Sequence, residues 1–485
     1  MIALFLFLVP LVGGLLSFVL KNDKAVRGWA FLLSLITLAI AIGGNTVTKN
    51  SASLSFSAGW LGSLGSSFSL RLDGLSQLLC LLTAVAYPII FLSTWWSSYR
   101  KPNNFFGLML LTQAGMIGVF LATDALLFYF FWELALVPAY FLCSGWGGER
   151  RIAVTFKFFI YTFLGSVIML IALIYLYYQT PDQSFSLSSF YALKLSHGTQ
   201  SWLFWLMFAA FAIKIPIFPL HTWQPDTYEE SPTAVTMVLS GVMVKMGLFG
   251  LLRWVWPIFP NAVHDWGDVV MSLSVAGIIY SSVIALQQND LKRLIAYSSI
   301  AHMGLMVMAI FAENKIGMQG VMMQMFNHGI NIIGLWIVVE LIERQFGTRK
   351  LSELGGLAQK APALTALLVV VALANVSLPL TNSFVGEFLL FNGIWNTIST
   401  YRIIFAVVAG LSIILSAAYT LNMIQKIFYG ESNLKTQAAT DLKTNERLAL
   451  SLLVVMILVF GVYPQPLLNL TNSFVTSLLT QVGRA

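Results

Sequence analysis

Phe208-Ala-Ala-Phe-Ala-Ile-Lys-Ile-Pro-Ile-Phe-Pro219 places a single charged side chain, Lys214, in an otherwise uncharged run. The run is apolar enough to belong inside a bilayer, where a mid-membrane lysine costs about 2.5–3.5 kcal/mol on insertion scales. Pro216 and Pro219 follow within five residues and should break the helix at that depth. A charge beside a broken helix inside lipid marks an ion pathway, and the same pattern recurs further along the chain.

The composition agrees. Of 485 residues 58% are hydrophobic and 10% charged, with mean hydropathy +0.80, whereas soluble domains carry roughly 25% charged residues. The chain is therefore a polytopic membrane protein whose first partner is the lipid bilayer. Its net charge of +7 is scattered through short loops, which excludes a nucleic-acid footprint. Cys80 and Cys143 both lie in apolar runs. Two thiols make neither a disulfide framework nor an iron–sulfur site, so both read as small core residues. Gly59, Gly62 and Gly65 do not form a dinucleotide fingerprint and no P-loop occurs. By motif, no cofactor (NADH, flavin or ATP) is bound by this chain, and no metal site is expected.

Runs long enough for a hydrocarbon core of about 30 Å fall near 2–20, 28–45, 74–97, 104–121, 124–145, 154–178 and 201–224, and then near 233–252, 267–288, 291–312, 316–340, 363–398, 403–425 and 448–467. The expected fold is thus all-α, with about fourteen transmembrane spans. The first run lacks a basic start, and Lys21, Lys24 and Arg27 follow it, which fits a first span better than a cleaved signal peptide. Loops after even-numbered spans, with the C-terminal tail, hold only Lys49, Arg71, Lys194, Lys315, Arg402 and Arg484. Most of the other basic residues follow odd-numbered spans. The positive-inside rule then puts both termini on the outer side, the periplasm for a bacterial inner membrane.

Span seven is broken near 214–219, and span twelve contains Leu378-Pro379-Leu380-Thr-Asn-Ser-Phe-Val-Gly386, whose proline, glycine and short polar residues predict a second break near 377–387. The breaks are five spans apart, and an odd offset reverses direction through the membrane. The pattern predicts two inverted five-helix repeats, each with one broken helix, an arrangement that puts the working site near the midplane. The expected organisation is 1–103 for spans one to three, 104–256 for the first repeat, 257–428 for the second, and 429–485 for a loop and the fourteenth helix.

Six ionisable residues fall near mid-membrane. Glu133 lies about 14 Å past Asp124 and Lys245 about 20 Å past Pro232, at 1.5 Å per residue. Lys214 marks the first break, His302 and His328 sit mid-span, and Glu387 follows the second break. Buried ion pairs that merely fix packing are the competing reading. Hydrophobic replacements would generally stabilise a fold as well, so six such residues point instead to proton transfer. A lysine desolvated in lipid releases a proton more readily, a nearby carboxylate restores its charge, and histidines relay near neutrality. Lys157 can snorkel to the interface. His221, Asp226, Glu229 and Glu230 read as a solvated loop or a proton entry. Arg253, His264 and Asp268 read as interfacial, and His197 as surface.

Phe131-Trp-Glu-Leu-Ala-Leu-Val-Pro138, Lys214-Ile-Pro-Ile-Phe-Pro-Leu-His-Thr-Trp223, Ala296-Tyr-Ser-Ser-Ile-Ala-His-Met-Gly304, Asn327-His-Gly329 and Phe384-Val-Gly-Glu-Phe-Leu389 together resemble the antiporter-like subunits of respiratory complex I, proton-translocating NADH:quinone oxidoreductase. The likeness is nearest to the M (chain 4) type and covers roughly 70–430. It implies fourteen helices, two inverted repeats and a polar midplane axis. It also implies that Glu133 and Lys214 form a modulating ion pair, that Lys245, His302 and His328 relay, and that Glu387 is the terminal site. The acid at 387 favours this type over sister subunits and sodium/proton antiporter chains, which usually carry lysine there. Neighbouring membrane subunits, other antiporter-like ones among them, are implied partners. NADH, FMN, iron–sulfur clusters and quinone are expected in those partners, with no redox centre here and no long lateral helix. Tyr228 stands in place of an expected histidine, Leu380 in place of a glycine, and Val235-Thr-Met237 in place of a small, polar stretch. The rival readings are a multisubunit sodium/proton antiporter chain, a membrane hydrogenase subunit and a structural scaffold.

Overall fold

A computed structural model describes residues 1–46 and 52–483; Lys49 and Arg484 lie outside them. Eleven of its helices are long and apolar enough to cross a bilayer alone. Spans two to six are Asp23–Thr46, Gly74–Ser93, Pro102–Leu121, Ala125–Trp146 and Arg151–Gln179. Spans eight to eleven are Thr233–Ile258, Pro260–Gln287, Leu291–Ile310 and Lys315–Phe346, and thirteen and fourteen are Arg402–Phe428 and Thr444–Val462. Span one, Ile2–Ser17, is short. Span twelve falls short because it is broken, and the first half of span seven, His197–Lys214, because its start is too polar.

Span seven runs His197–Lys214, turns at 215–222, and resumes as Trp223–Glu230. The break is closed by polar bonds that replace the missing helical ones: Trp223 Nε1 donates to the Ile213 carbonyl at 2.9 Å. Span twelve runs Pro362–Asn375 and Asn382–Trp395. Between them Ser377 and Leu380 take φ of +60° and +74°, left-handed values that favour glycine. Leu380 thus occupies a position a glycine would fill without strain.

Spans five and ten open identically. Ala125 N–H donates to the Phe185 carbonyl and Leu187 N–H to that of Thr123, at 2.8 and 2.9 Å. In the second half Leu291 N–H donates to Arg349 and Leu351 N–H to Asn289, at 3.0 and 2.7 Å. In each case an aspartate, Asp124 or Asp290, caps the helix with its side chain. The same clasp therefore ties span five to the segment after span six and span ten to the segment after span eleven. With an odd offset the two clasps lie at opposite membrane faces, as inverted repeats require.

Span eight is buried on all sides, and spans three, ten and eleven nearly so, whereas six, thirteen and fourteen present broad apolar faces outward. A helix with no lipid-facing side can carry charge only toward other protein.

Two features add to the all-α, fourteen-span architecture. Ser55–Leu61 and Ser66–Arg71 pair as an antiparallel hairpin, following the alternation of Ser55-Phe-Ser and Ser67-Phe-Ser-Leu70. A further helix, Gln465–Gln481, follows span fourteen, so 429–485 holds two helices rather than one. It lies so close to the start of span three that a Cβ on Gly74 would sit 2.5 Å from the Leu470 carbonyl oxygen.

Candidate functional site: a buried chain of ionisable side chains

Lys245 lies inside span eight just after a π-helical turn, Leu239–Met243. There the Val244 N–H donates to the Leu239 carbonyl at 3.2 Å, passing over Ser240. The Ser240 carbonyl, without its usual helical donor, accepts from Lys245 Nζ at 2.8 Å. The turn thus supplies an acceptor for a fully buried ammonium, a use typical of such bulges at functional sites.

Nζ also lies 2.8 Å from His328 Nδ1 on span eleven, and His328 Nε2 lies 3.2 Å from Ser299 Oγ on span ten. When Lys245 is charged it must donate to Nδ1, so the ring carries its proton on Nε2, toward Ser299. A neutral Lys245 has a lone pair as well as two N–H groups, so the roles are then free to reverse. One turn beyond Ser299, the His302 ring lies 5.6 Å from that of His328. His302 Nδ1 is 3.1 Å from Glu387 Oε1, a carboxylate that also accepts from Gln324 Nε2 at 3.3 Å. Four elements, spans eight, ten, eleven and the second half of twelve, thus converge on one row.

Span eleven positions this row. Gln324, Asn327, His328 and Asn331 share one helical face. Asn327 Nδ2 donates to the Asn382 carbonyl at 2.7 Å and Asn331 Nδ2 to Ser383 Oγ at 2.8 Å. These bonds grip the start of the half-helix that carries Glu387. Ser298 adds a side branch, 3.0 Å from the Tyr419 hydroxyl.

Glu133 and Lys214 are not in contact with each other. No ion pair or hydrogen bond joins them; Lys214 Nζ and Glu133 Oε1 are both buried without a hydrogen-bond partner. Instead Nζ lies 5.7 Å from the ring centres of both Trp132 and Phe158. The implied ion pair is therefore open in this structure.

Lys157 reaches along span six to Asp226 and the Thr222 carbonyl, each at 2.8 Å. Asp226 and Glu229 also bind Arg293, at 3.1 and 2.9 Å. Glu229 and Asp290 are further held by Arg349. That ionic mesh, not a free solvated loop, occupies the face of the basic loops. It borders a cleft of about 780 Å³ with Arg150, Glu230, Lys292, Glu343 and Arg344 in its wall. His221 is buried between the Phe218 and Tyr280 rings. Tyr228 is buried against Trp223 and Trp336, its hydroxyl without a partner. Arg253, five residues from the end of span eight, is 2% exposed and pairs at 2.7 Å with Asp73, the N-cap of span three. Burial raises the Asp73 carboxyl, but the Arg253 guanidinium more than offsets this and holds it well below the usual carboxylate range. His264 and His197 remain outside the row as surface residues.

Sequence reasoning missed Gln324, Ser299 and the Ser240 carbonyl. The i, i+3, i+4, i+7 spacing of Gln324, Asn327, His328 and Asn331 was the available signal. No spacing announces the π turn.

Residues 122–416 match the model of the NADH:quinone oxidoreductase/Mrp antiporter transmembrane family. The chain belongs to this family. It is 37% identical over 475 residues to NADH-quinone oxidoreductase subunit M of Rhodobacter capsulatus, covering 95% of this chain and 91% of that one. It is 35% identical to subunit M of Escherichia coli K12, with 96% of each chain covered. The fold superposes on a chain of Thermus thermophilus respiratory complex I with TM-score 0.90 and 30% identity, covering 99% of this chain and 100% of that one. Within the oxidoreductase family this chain is thus of the antiporter-like M type, an integral membrane component of an enzyme complex.

Proposed function

We propose that this chain translocates protons as a non-redox subunit of NADH:quinone oxidoreductase, through Glu133, Lys214, Lys245, His328, His302 and Glu387. The observation that carries the reading is the fully buried Lys245–His328 contact continued by the His302–Glu387 pair. Charge so far from water costs several kcal/mol per group, a cost a mere scaffold has no reason to carry.

In this mechanism a proton leaves Lys245 Nζ for His328 Nδ1 across the 2.8 Å contact. It departs from Nε2 past Ser299 to the His302 ring, and His302 Nδ1 passes it to Glu387. Glu133 sets the affinity of Lys214 by approaching or withdrawing, since a carboxylate nearby favours the charged lysine. Lys214 in turn passes its proton on to Lys245, and protons enter from the cleft walled by Lys292 and Glu343. The drive comes from quinone chemistry in neighbouring subunits, which hold NADH, FMN, iron–sulfur clusters and quinone. The chain then sits in a bacterial inner membrane, beside other antiporter-like subunits, with both termini outside. The two repeats would be 104–256 and 257–428.

Lys214→Ala and Lys245→Ala in the native membrane, assayed together for assembly, NADH:quinone turnover and pumping, test the reading. Assembled complexes with crippled pumping support it. Normal pumping from assembled complexes overturns it.

A further inference from the structure

The Lys214 ammonium has no hydrogen-bond acceptor, yet it is buried. What it has is two ring faces, Trp132 and Phe158, each with its centre 5.7 Å away. That is within cation–π range. The rings come from different spans, five and six, and each is fixed from behind. Trp132 packs on Phe211 with centres 5.6 Å apart, and Phe158 on Trp223 at 5.0 Å. Trp223 is in turn bonded to the Ile213 carbonyl, beside Lys214. Phe158, Ile213, Trp223 and Leu136 form a buried apolar cluster separate from the main core.

We propose that Trp132 and Phe158 form an aromatic cradle that holds the protonated Lys214 ammonium while Glu133 is withdrawn. This rests on the reading of Lys214 as a proton carrier. Lys214 then has two alternative stabilisers, a carboxylate and a pair of rings, and withdrawal of the carboxylate weakens its hold on the proton without abolishing it. Trp132 is adjacent to Glu133 on the same helix, so a small movement of span five changes both. Other titratable groups on the surrounding elements are Tyr129 on span five, Lys157 and Tyr161 on span six, His221 and Asp226 beyond the break, and Lys245 on span eight. None bonds to Nζ: Lys157 is taken by Asp226, Tyr161 by Thr222, and Lys245 by His328.

The test is the pH profile of NADH-driven proton pumping in the whole complex carrying Trp132→Leu, Trp132→Phe or Phe158→Leu. Loss of a ring lowers the affinity of Lys214 for its proton. The alkaline limb should move to lower pH by about 0.4–1.5 units, the span that a cation–π contact allows. Trp132→Phe keeps a weaker ring and should fall between Trp132→Leu and the unaltered protein. If Trp132→Leu fails to assemble, Phe158→Leu tests the same cradle from the other span. An unmoved alkaline limb in assembled complexes overturns the cradle. Lys214→Ala beside them separates the two ideas: normal pumping there overturns the carrier role itself, whereas crippled pumping with unmoved ring variants overturns the cradle alone.

Discussion

Lys245 on span eight and His328 on span eleven meet at 2.8 Å, Nζ to Nδ1, with neither side chain open to solvent. An ammonium that donates to an imidazole shares one proton with a group of far lower basicity. Two basic groups in contact repel whenever both are charged, so in the proposed relay the pair holds one proton at a time and passes it on.

Replacing the imidazole should therefore stop transfer but spare the fold. His328→Ala leaves Lys245 bonded to the Ser240 carbonyl, so the complex should assemble. Pumping should fall by about a hundredfold, the lower end of what a positioned acid–base group contributes. Pumping in membrane vesicles normalised to assembled complex checks this.

The second break should tolerate no added bulk. A Cβ on Gly461 of span fourteen would lie 2.1 Å from the Leu380 carbonyl oxygen, and backbone cannot swing aside like a side-chain tip. Gly461→Ala should displace the 376–381 turn, and with it the half-helix bearing Glu387, lowering both the melting temperature of the complex and pumping. Leu380→Gly should act in the opposite sense on the turn, relieving about 1 kcal/mol of left-handed strain. A thermal-shift comparison of the two variants reads the difference in sign.

Asp441 caps the first half of span twelve, accepting from Ala363 N–H at 2.9 Å and Leu364 N–H at 3.0 Å. Burial would push this carboxyl up, but the N–H donors of Ala363, Leu442 and Leu364 outweigh it and hold it below the ordinary value. A carboxyl with a depressed folded value stabilises the fold above its unfolded pKa and loses that contribution as pH falls through the folded value. The cap should thus be complete at neutral pH and weaken only below about pH 4. Asp441→Ala should cost about 1 kcal/mol and speed hydrogen exchange at Ala363 and Leu364 at pH 7.

Much of this was legible in the chain, for physical reasons. A bilayer fixes the length of each apolar run, so the spans could be counted, and the prolines at 216 and 379 forced breaks where breaks occur. The mid-span depth of Lys245, His302, His328 and Glu387 followed from rise per residue, and the structure joins them in pairs. What depth cannot give is azimuth. Glu133 and Lys214 lie on neighbouring elements without touching, and Arg253 turns its guanidinium onto Asp73 at 2.7 Å. The hairpin at 55–71 is too short and exposed to stand out beside long apolar helices, and the Gln465–Gln481 helix is too polar to be read as a span.

The most direct test is the ratio of protons pumped to electrons transferred in the assembled complex carrying Glu387→Gln, a change that keeps shape but removes the charge paired with His302. The proton path described here predicts a lowered ratio with the complex intact. An unchanged ratio in an intact complex would contradict it.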